Sequence, residues 1–404
     1  MENRKKPTVR FSGFSEDWKL KKLNDLANIS GGGTPSTKNS EYWNGDIDWY
    51  SPAELGDQIY LTGSRKKITK LGLKQSSAKI HPKGTVLFTS RAGIGNTAIL
   101  AKEGTTNQGF QSIIPMENIL DSYFIFSRTS ELKRYGEVTG AGSTFVEISG
   151  KQMAEMPIFV PDYEEQKKIG DFFKKIDKMI SMYQQELATL KQTKQGFLQK
   201  MFPKEGEKVP EVRFPGFTDD WEQRELGNLV DLVVREVPKP NEPYYRMSVR
   251  SHAKGTFRQF VDNPDSVAMD KLFVVKKDDL VVNITFAWEH AIAIVPEEND
   301  GLLVSHRFPT YRANGNSDIE FLHYLVSKED FRRKLEFISP GGAGRNRVLN
   351  KKDFLKLKMY APELDEQKRI GTFFKQLDNT ISLHQRELEL LQLTKKAFLQ
   401  KLFV

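Results

Sequence analysis

The sequence predicts an α+β protein with an internal repeat, in which two mostly-β domains are separated by two long helices that pair as an antiparallel coiled coil. Three observations predict this fold. The segment 161–202 returns without a gap at 362–403, an offset of 201 residues, with more than half of the positions identical. A shorter motif, VRFSGFSEDW at 9–18, returns as VRFPGFTDDW at 212–221. Between these repeats, short strand patterns alternate with turn residues.

Composition limits the classes of protein that the chain can belong to. Its 404 residues suffice for two or three domains, and 61 Lys+Arg against 53 Asp+Glu give a net charge of +8, which favours an anionic partner. The absence of cysteine excludes disulfides, Cys-ligated zinc and a thiol nucleophile. We find no signal peptide and no apolar run approaching the ~18 residues of a spanning helix. A cytoplasmic protein that does not enter a membrane is therefore expected.

The two regions between the repeats have the same order of features. Residues 84–89 and 97–100 have strand patterns in the first region, and 279–284 and 291–295 take the corresponding places in the second. Few helical patterns occur in either region. The order of the patterns matches although most of the residues differ, which indicates one scaffold that carries two different surfaces in a pseudo-two-fold arrangement.

The repeated segments predict two long helices. Their apolar residues recur in alternating steps of four and three, the period of a coiled-coil seam. The predicted seam positions are Ile169, Phe173, Ile176, Ile180, Leu187 and Leu190 in the first copy, and Ile370, Phe374, Leu377, Ile381, Leu388 and Leu391 in the second. Roughly 35 helical residues span about 50 Å, which one small domain cannot cover.

Pairing of the two copies with each other is the favoured arrangement, in antiparallel orientation. The alternative is two ordinary surface helices, each packed on its own domain. His384 occupies a seam position, and we expect it to set the register rather than to bind a metal, because no second histidine or carboxylate cluster accompanies it. No metal site is predicted elsewhere.

Polar side chains in the regions between the repeats suit contact with DNA, because Arg, Lys, Asn, Gln and Ser on loops grip phosphates and bind base edges. Each residue taken singly is more often an ordinary solvated loop residue. The candidates in the first region are Lys38, Arg65, Lys66, Lys67, Ser90, Arg91, Asn96, Asn107 and Gln108. Those in the second region are Arg246, Arg250, His252, Lys254, Arg258, Thr285, His306, Arg307, Arg345, Asn346 and Arg347. The last three follow a glycine-rich loop, which makes them the strongest individual case.

Motifs of catalysis are missing from the sequence. The GxGxxA pattern at 93–98 leads into a strand and turn, whereas a dinucleotide site needs a helix N-terminus there. The NEPY sequence at 241–244 departs from the Asn-Pro-Pro-Tyr motif of adenine methyltransferases. Neither a P-loop nor a HExxH or GxSxG motif is present. We therefore expect a binding function without catalysis.

Taken together, these motifs resemble the specificity (S) subunit of type I restriction–modification systems. The resemblance is carried by EQKKIG at 165–170 and EQKRIG at 366–371, by the paired phenylalanines that follow each, and by GTVLFTSRAGIGN at 84–96 and TNQGFQSIIP at 106–115. It covers nearly the entire chain. It implies target recognition domains at 1–160 and 204–361, and conserved helices at 161–203 and 362–404 that form the coiled coil.

The same resemblance implies the partners and cofactors. Double-stranded DNA would be recognised as a bipartite, asymmetric target, and the helices would dock methyltransferase (M) subunits, two of them, which in turn bring restriction (R) subunits. S-adenosylmethionine, ATP and Mg are expected on those partner subunits and none of them on this chain.

Two alternatives remain open from the sequence. The chain could be a protein–protein scaffold with a central coiled coil and no recognition of DNA. It could also be a self-sufficient modification enzyme, although the missing cofactor loop weighs against this. Binding of duplex DNA distinguishes the first alternative, and methyl transfer by the isolated chain distinguishes the second.

Overall fold

The computed structural model of the chain describes residues 6–91, 93–140, 147–339 and 347–404. It divides into two compact units, one made of residues 1–184 and 386–404 and the other of residues 185–385. This division differs from the four consecutive segments expected from the sequence. Each unit combines one β-rich region with a part of each long helix.

The elements of the first half follow in chain order. The strands are β1 (Lys19–Lys22), β2 (Ala27–Gly31), β3 (Trp43–Tyr50), β4 (Tyr60–Leu61), β5 (Lys66–Ile68), β6 (Val86–Thr89), β7 (Thr97–Leu100), β8 (Thr105–Thr106), β9 (Phe110–Pro115) and β10 (Pro157–Val160). The helices are α1 (Lys70–Lys74), α2 (Ser122–Ser127), α3 (Thr129–Thr139), α4 (Gly150–Ala154) and α5 (Tyr163–Lys200).

The second half repeats this plan with more strands. The strands are β11 (Glu222–Glu225), β12 (Val230–Val233), β13 (Glu236–Pro238), β14 (Tyr244–Val249), β15 (Thr256–Val261), β16 (Lys271–Val274), β17 (Asp279–Val282), β18 (Ile292–Ile294), β19 (Leu303–Val304), β20 (Thr310–Ala313) and β21 (Lys358–Ala361). The helices are α6 (Ile319–Val326), α7 (Glu329–Phe337), α8 (Lys351–Leu355) and α9 (Leu364–Lys401).

One sheet has the same strand order in both units. It runs β2-β9-β6-β7 in unit 1, with β4 added at its edge, and β12-β20-β17-β18 in unit 2. The registers correspond as well, since Val86 lies opposite Ile113 and Leu280 lies opposite Tyr311. Both strands expected in each region are confirmed, and the match in their order is confirmed with them. The sequence identified strands of this sheet because β6 and β17 are buried along their whole length. A strand buried on both faces consists of a nearly continuous apolar run.

A second sheet differs between the units. It has three strands in unit 1, ordered β5-β3-β8, and five in unit 2, ordered β13-β16-β19-β14-β15. The expectation of few helices was too low, because α2–α4 and α6–α8 follow the last strand of the shared sheet. Asp121 and Asp318 begin α2 and α6 by accepting from the backbone N–H groups of Phe124 and Phe321 at 2.8 and 2.9 Å.

The long helices pair in antiparallel orientation within each unit, as predicted. In unit 1 the Phe172 ring lies 4.9 Å from that of Phe398, between ring centroids. In unit 2 the repeat-equivalent rings of Phe373 and Phe197 are 5.2 Å apart. In both units the beginning of one helix meets the end of the other. The alternative, in which each helix packs only on its own domain, is therefore wrong.

The predicted seam lies on the inner side of the helix pair. All twelve of its apolar positions are buried or half-buried. His384 is half-buried, with Nδ1 3.5 Å from Glu186 Oε2. Among the described residues, no group of three or more His, Asp or Glu side chains is arranged to hold a metal ion. In the same part of the chain, every helix is too short or too polar to cross a membrane.

The opening motifs complete the core of each unit. Trp18 is buried against Phe403, with ring centroids 6.2 Å apart, and Trp221 is buried against Phe202 at 6.0 Å. Each aromatic pair joins an opening motif to the segment just after a long helix. Both motifs are therefore structural, and they tie the helix ends to the β-rich region.

Candidate nucleic-acid interface

The site begins at the ends of two equivalent strands of the shared sheet, β6 in unit 1 and β17 in unit 2. The residues just after each strand are hydrogen-bonded to the residues that precede the neighbouring strand, β9 or β20. Ser90 N donates to Gly109 O at 2.8 Å in unit 1, and Ile284 N donates to Arg307 O at 3.0 Å in unit 2. These two bonds occupy equivalent places, one residue after β6 or two residues after β17. The backbone at this end of the sheet is therefore built in the same way twice.

Two further backbone bonds repeat at the same place. Thr89 N donates to Asn96 O at 2.9 Å, and its counterpart is Asn283 N to Ala291 O at 2.8 Å. The backbone O of Ser90 accepts from residue 148 at 3.1 Å, and the O of Ile284 accepts from residue 349 at 2.8 Å. We call this region the strand-end surface: residues 89–91, 96 and 107–109 in unit 1, and 283–285, 291 and 305–307 in unit 2. Its backbone is duplicated whereas its side chains differ.

In unit 1 the strand-end surface carries amides and one arginine. Asn96 and Gln108 are exposed, and Asn107 and Arg91 are half-buried. The Asn107 carboxamide accepts from Gly109 N at 2.8 Å, which fixes its orientation. Ser90 was a predicted contact, but its side chain is fully buried, so its hydroxyl does not face a ligand in this arrangement.

The basic cluster at Arg65–Lys67 belongs to the neighbouring three-stranded sheet of unit 1. Its strand β5 begins where β3 ends, and Asn107 N donates to Tyr50 O at 2.9 Å, so the two sheets meet near the strand-end surface. Arg65 and Lys66 are exposed. The half-buried Lys67 lies 3.7 Å from the Asp48 carboxylate. The other predicted cation, Lys38, is exposed on the loop before β3.

Asp48 is a buried acid that sequence reasoning missed in this part of unit 1. Its carboxylate lies 2.6 Å from Lys102 Nζ and accepts from Ser64 Oγ at 3.0 Å. Burial opposes its ionisation, yet the bonds from Lys102 and Ser64 outweigh burial and lower the pKa of Asp48. The carboxylate therefore offsets part of the positive charge of the basic cluster.

In unit 2 three of the predicted residues line one cavity of about 260 Å³. These are Arg246 on β14, Thr285 after β17 and Arg307 before β20. Asn283 also lines the cavity, and its carboxamide accepts from Thr285 N at 3.1 Å. The fold thus assembles two arginines, an amide and a hydroxyl from three separate parts of the chain.

The other predicted residues of unit 2 lie on the β14–β15 hairpin and near it. The Arg250 guanidinium stacks on Phe257 at 5.1 Å, and Lys254 and His252 are exposed in the turn. Arg258 is the strand neighbour opposite Met247, so it lies on the face opposite to Arg246, where it donates to Asn299 Oδ1 at 2.9 Å. The exposed His306 precedes Arg307. Arg258 does not line the cavity.

The cluster after the glycine-rich loop is only partly described. Arg345 and Asn346 lie outside the described residues. Arg347 stacks on Trp288 at 5.4 Å, and its Nη1 lies 3.9 Å from Glu336 Oε1. The described member of this cluster is thus engaged within the chain.

The family model and the relatives that match this chain all point to one protein family. The family model described as Type I restriction modification DNA specificity domain matches residues 15–192 and 218–393. Over 168 residues the chain is 41% identical to the type I restriction enzyme MjaIX specificity subunit of Methanocaldococcus jannaschii, which covers 41% of this chain and 39% of that protein. It is 32% identical over 177 residues to the EcoR124I/EcoR124II specificity subunit of Escherichia coli, covering 42% and 43%. These two matches span less than half of each relative.

A longer match and a solved structure extend over nearly the whole chain. The putative type I restriction enzyme MjaX specificity subunit of M. jannaschii is 24% identical over 429 residues, covering 99% of this chain and 96% of that protein. The crystal structure of the type I restriction–modification S subunit from M. genitalium is 14% identical and covers 99% of both chains with a TM-score of 0.59. At this identity the structural likeness establishes a shared fold.

Proposed function

Because the chain belongs to the family of type I restriction–modification DNA specificity subunits, with two specificity domains, we propose that each unit recognises one half of a bipartite, asymmetric target in double-stranded DNA. The observation that carries the proposal is the strand-end surface, where the backbone bonds repeat and the side chains do not. At the paired positions Gly109 and Arg307, and again at Asn96 and Ala291, one unit has a polar or charged side chain that the other lacks. Two different surfaces on one scaffold suit two different half-sites.

The side chains of both surfaces have the chemistry that recognises base edges. Amides such as those of Asn107 and Gln108 bind adenine through two hydrogen bonds, and arginines such as Arg307 bind guanine in the same way. The exposed Arg65 and Lys66 next to the unit 1 surface supply phosphate contacts, which strengthen binding without regard to sequence. Unit 1 therefore favours amide-based recognition, and unit 2 favours arginine-based recognition.

The partners follow from the family and from the repeated helices. Members of this family are specificity subunits, and the catalytic steps belong to other subunits of the complex. We propose that two methyltransferase subunits dock on this chain, one for each copy of the helix segment, and that restriction subunits join through them. S-adenosylmethionine, ATP and Mg would then be bound by those partners.

The proposal is tested with the full chain co-expressed with its methyltransferase subunits. Methylated adenines are mapped genome-wide, and binding of a duplex that carries the deduced site is measured at several salt concentrations. We expect one asymmetric sequence motif in two parts and binding that weakens steeply with salt. A complex that assembles but binds duplexes without sequence preference would leave only the scaffold function.

A further inference from the structure

The cavity of unit 2 contains an arginine that is already held in position. Arg246 on β14 lies opposite Gln259 on β15, and its Nε donates to Gln259 Oε1 at 2.9 Å. Among the described residues, the two terminal nitrogens of Arg246 have no hydrogen-bond partner. The side chain is exposed, so these two nitrogens face solvent at the cavity.

The lining of this cavity suits the edge of a base. Its polar groups come from Arg246, Gln259, Asn283 and Arg307 together with hydroxyl side chains, and none of the described residues that line it is acidic. Buried apolar side chains such as Met247 also line it. A pair of guanidinium groups without a nearby carboxylate attracts a ligand that presents hydrogen-bond acceptors.

An arginine held at Nε is suited to bind a base. Guanine presents O6 and N7 as two acceptors in the major groove, and a guanidinium binds both with two parallel N–H groups. The hydrogen bond at Nε orients the two terminal N–H groups of the guanidinium, and it lowers the conformational entropy that the side chain loses on binding. A phosphate also accepts two parallel bonds from a guanidinium, so the salt dependence of binding distinguishes the two contacts.

We propose that Arg246 recognises a guanine in the half-site of unit 2, and that Gln259 is the residue that positions it. This inference rests on the proposed function, because it assumes that unit 2 binds DNA. It adds a specific base and a specific pair of side chains, one of which, Gln259, the sequence did not single out.

The hairpin provides a matched control on its other face. Arg258 is also exposed, and it is also anchored through Nε to an amide oxygen, that of Asn299, at 2.9 Å. It lies next to Gln259 in the chain, so its side chain lies on the opposite face of the sheet and does not line the cavity. Replacement of Arg258 changes the same charge on the same hairpin without touching the proposed base contact.

The test uses the full complex and the duplex site found by methylation mapping. Each guanine of the unit 2 half-site is replaced in turn by 7-deazaguanine, which lacks the N7 acceptor. For the wild type we expect one position to lose roughly 10- to 150-fold in affinity, the loss typical of one hydrogen bond to a charged group. Arg246→Met should lose this discrimination at that position, because methionine has no N–H group to donate to N7. Arg258→Met should keep it.

Gln259 is tested in the same assay. Gln259→Leu should reduce discrimination at the same guanine, and Gln259→Glu should retain it, because a carboxylate still accepts from Arg246 Nε. The added negative charge of Gln259→Glu weakens binding to all duplexes alike and so leaves the ratio between modified and unmodified DNA intact. A merely structural role of Gln259 would change neither ratio.

Several outcomes would overturn the inference and leave the proposed function standing. They are a unit 2 half-site without guanine, unchanged discrimination in Arg246→Met, or uniform weakening with a lower salt slope, which indicates a phosphate contact. If the wild-type complex instead shows no sequence preference at all, the proposed function itself fails.

Discussion

The carboxylate of Asp177 lies 2.6 Å from Nζ of Lys395, an ion pair between residues 218 positions apart that joins the first part of α5 to the last part of α9. Tyr123 of α2 donates to the same carboxylate at 2.8 Å. One buried acid thus connects the β-rich region of unit 1 with both long helices.

Unit 2 contains the same arrangement with its own residues. Asp378 lies 2.5 Å from Lys194 Nζ and accepts from Tyr324 at 2.7 Å. Tyr123 is two residues beyond the N-cap of α2, and Tyr324 is six residues beyond the N-cap of the equivalent helix α6. Residues four apart lie one turn apart on the same face of a helix, so both tyrosines contact the equivalent aspartate from the same side. Each unit is therefore closed by a helix segment from the other half of the sequence.

Asp177→Asn should destabilise unit 1 by about 1–3 kcal/mol, because it leaves the partly buried Lys395 without its counter-charge. Denaturant unfolding of the full chain measures this. The exposed Asp171→Asn on the same helix is the control and should change stability by less than about 0.5 kcal/mol. A double-mutant cycle with Lys395→Met should give a coupling energy above about 0.5 kcal/mol. A coupling energy near zero would show that the pair does not hold the helices together.

Two glycines of α5 should respond to alanine in opposite directions. A Cβ at Gly170 would lie 2.4 Å from Asp121 Oδ1, which the N-cap bond of α2 holds in place, so Gly170→Ala should cost about 1–3 kcal/mol. At Gly196 a Cβ would meet nothing within 4 Å, so Gly196→Ala should stabilise by up to about 1 kcal/mol. The repeat agrees with both expectations, since it keeps glycine at Gly371 and has alanine at Ala397. Thermal unfolding of the two variants measures the signs, and a stabilising Gly170→Ala would contradict the close approach.

Arg213→Lys should weaken unit 2. Arg213 holds the buried Glu366 carboxylate with two bonds of 2.6 and 2.7 Å, and lysine cannot replace the fork, so we expect a loss of about 1–3 kcal/mol in the free energy of unfolding. Arg224→Lys is the control, because Arg224 pairs with the exposed Glu222 and should cost less than about 1 kcal/mol. Equal losses in the two variants would mean that the buried bidentate geometry has no special role.

Stability should fall in acid through the buried His81. Burial, together with nearby Lys79, lowers the pKa of His81 to about 4. An unfolded histidine has a pKa near ~6.5. Between about pH 6.5 and 4, His81 therefore binds a proton in the unfolded chain but not in the folded chain. The free energy of unfolding should therefore decrease as pH falls across this window, by up to about 3 kcal/mol. His81→Gln should flatten the dependence, and parallel curves for the two proteins would contradict this assignment.

The sequence predicted the elements whose pattern is local and periodic. Apolar residues at seven-residue spacing located the seam from Ile169 to Leu190. A short strand pattern between turn residues located β7 with the bounds that the structure has. Contacts between distant residues left no such signal: nothing in the motif around Arg10 indicated that its guanidinium holds Glu165, 155 residues away, at 2.7 and 2.8 Å. Glu165 in the first turn of α5 is thus a buried acid with a specific partner.

The types of residue in the candidate interface could be predicted from the sequence. The directions and contacts of their side chains could be predicted less well. Loop position identified Thr285 and Arg307, which the fold brings together. It also selected Ser90, whose hydroxyl is buried, because a residue just after a strand can lie on either side of the sheet. Gln259 was missed since its role depends on the cross-strand register of β14 and β15, which no local pattern in the sequence specifies.

The central claim is that each unit recognises its own half-site, and an exchange of one region tests it most directly. Residues 212–361 are replaced by the matching region of a family member with a different target, and adenine methylation by the full complex is mapped genome-wide. We predict a new motif in which one half changes and the other half stays as in the wild type. A motif in which both halves change together, or neither changes, would contradict it.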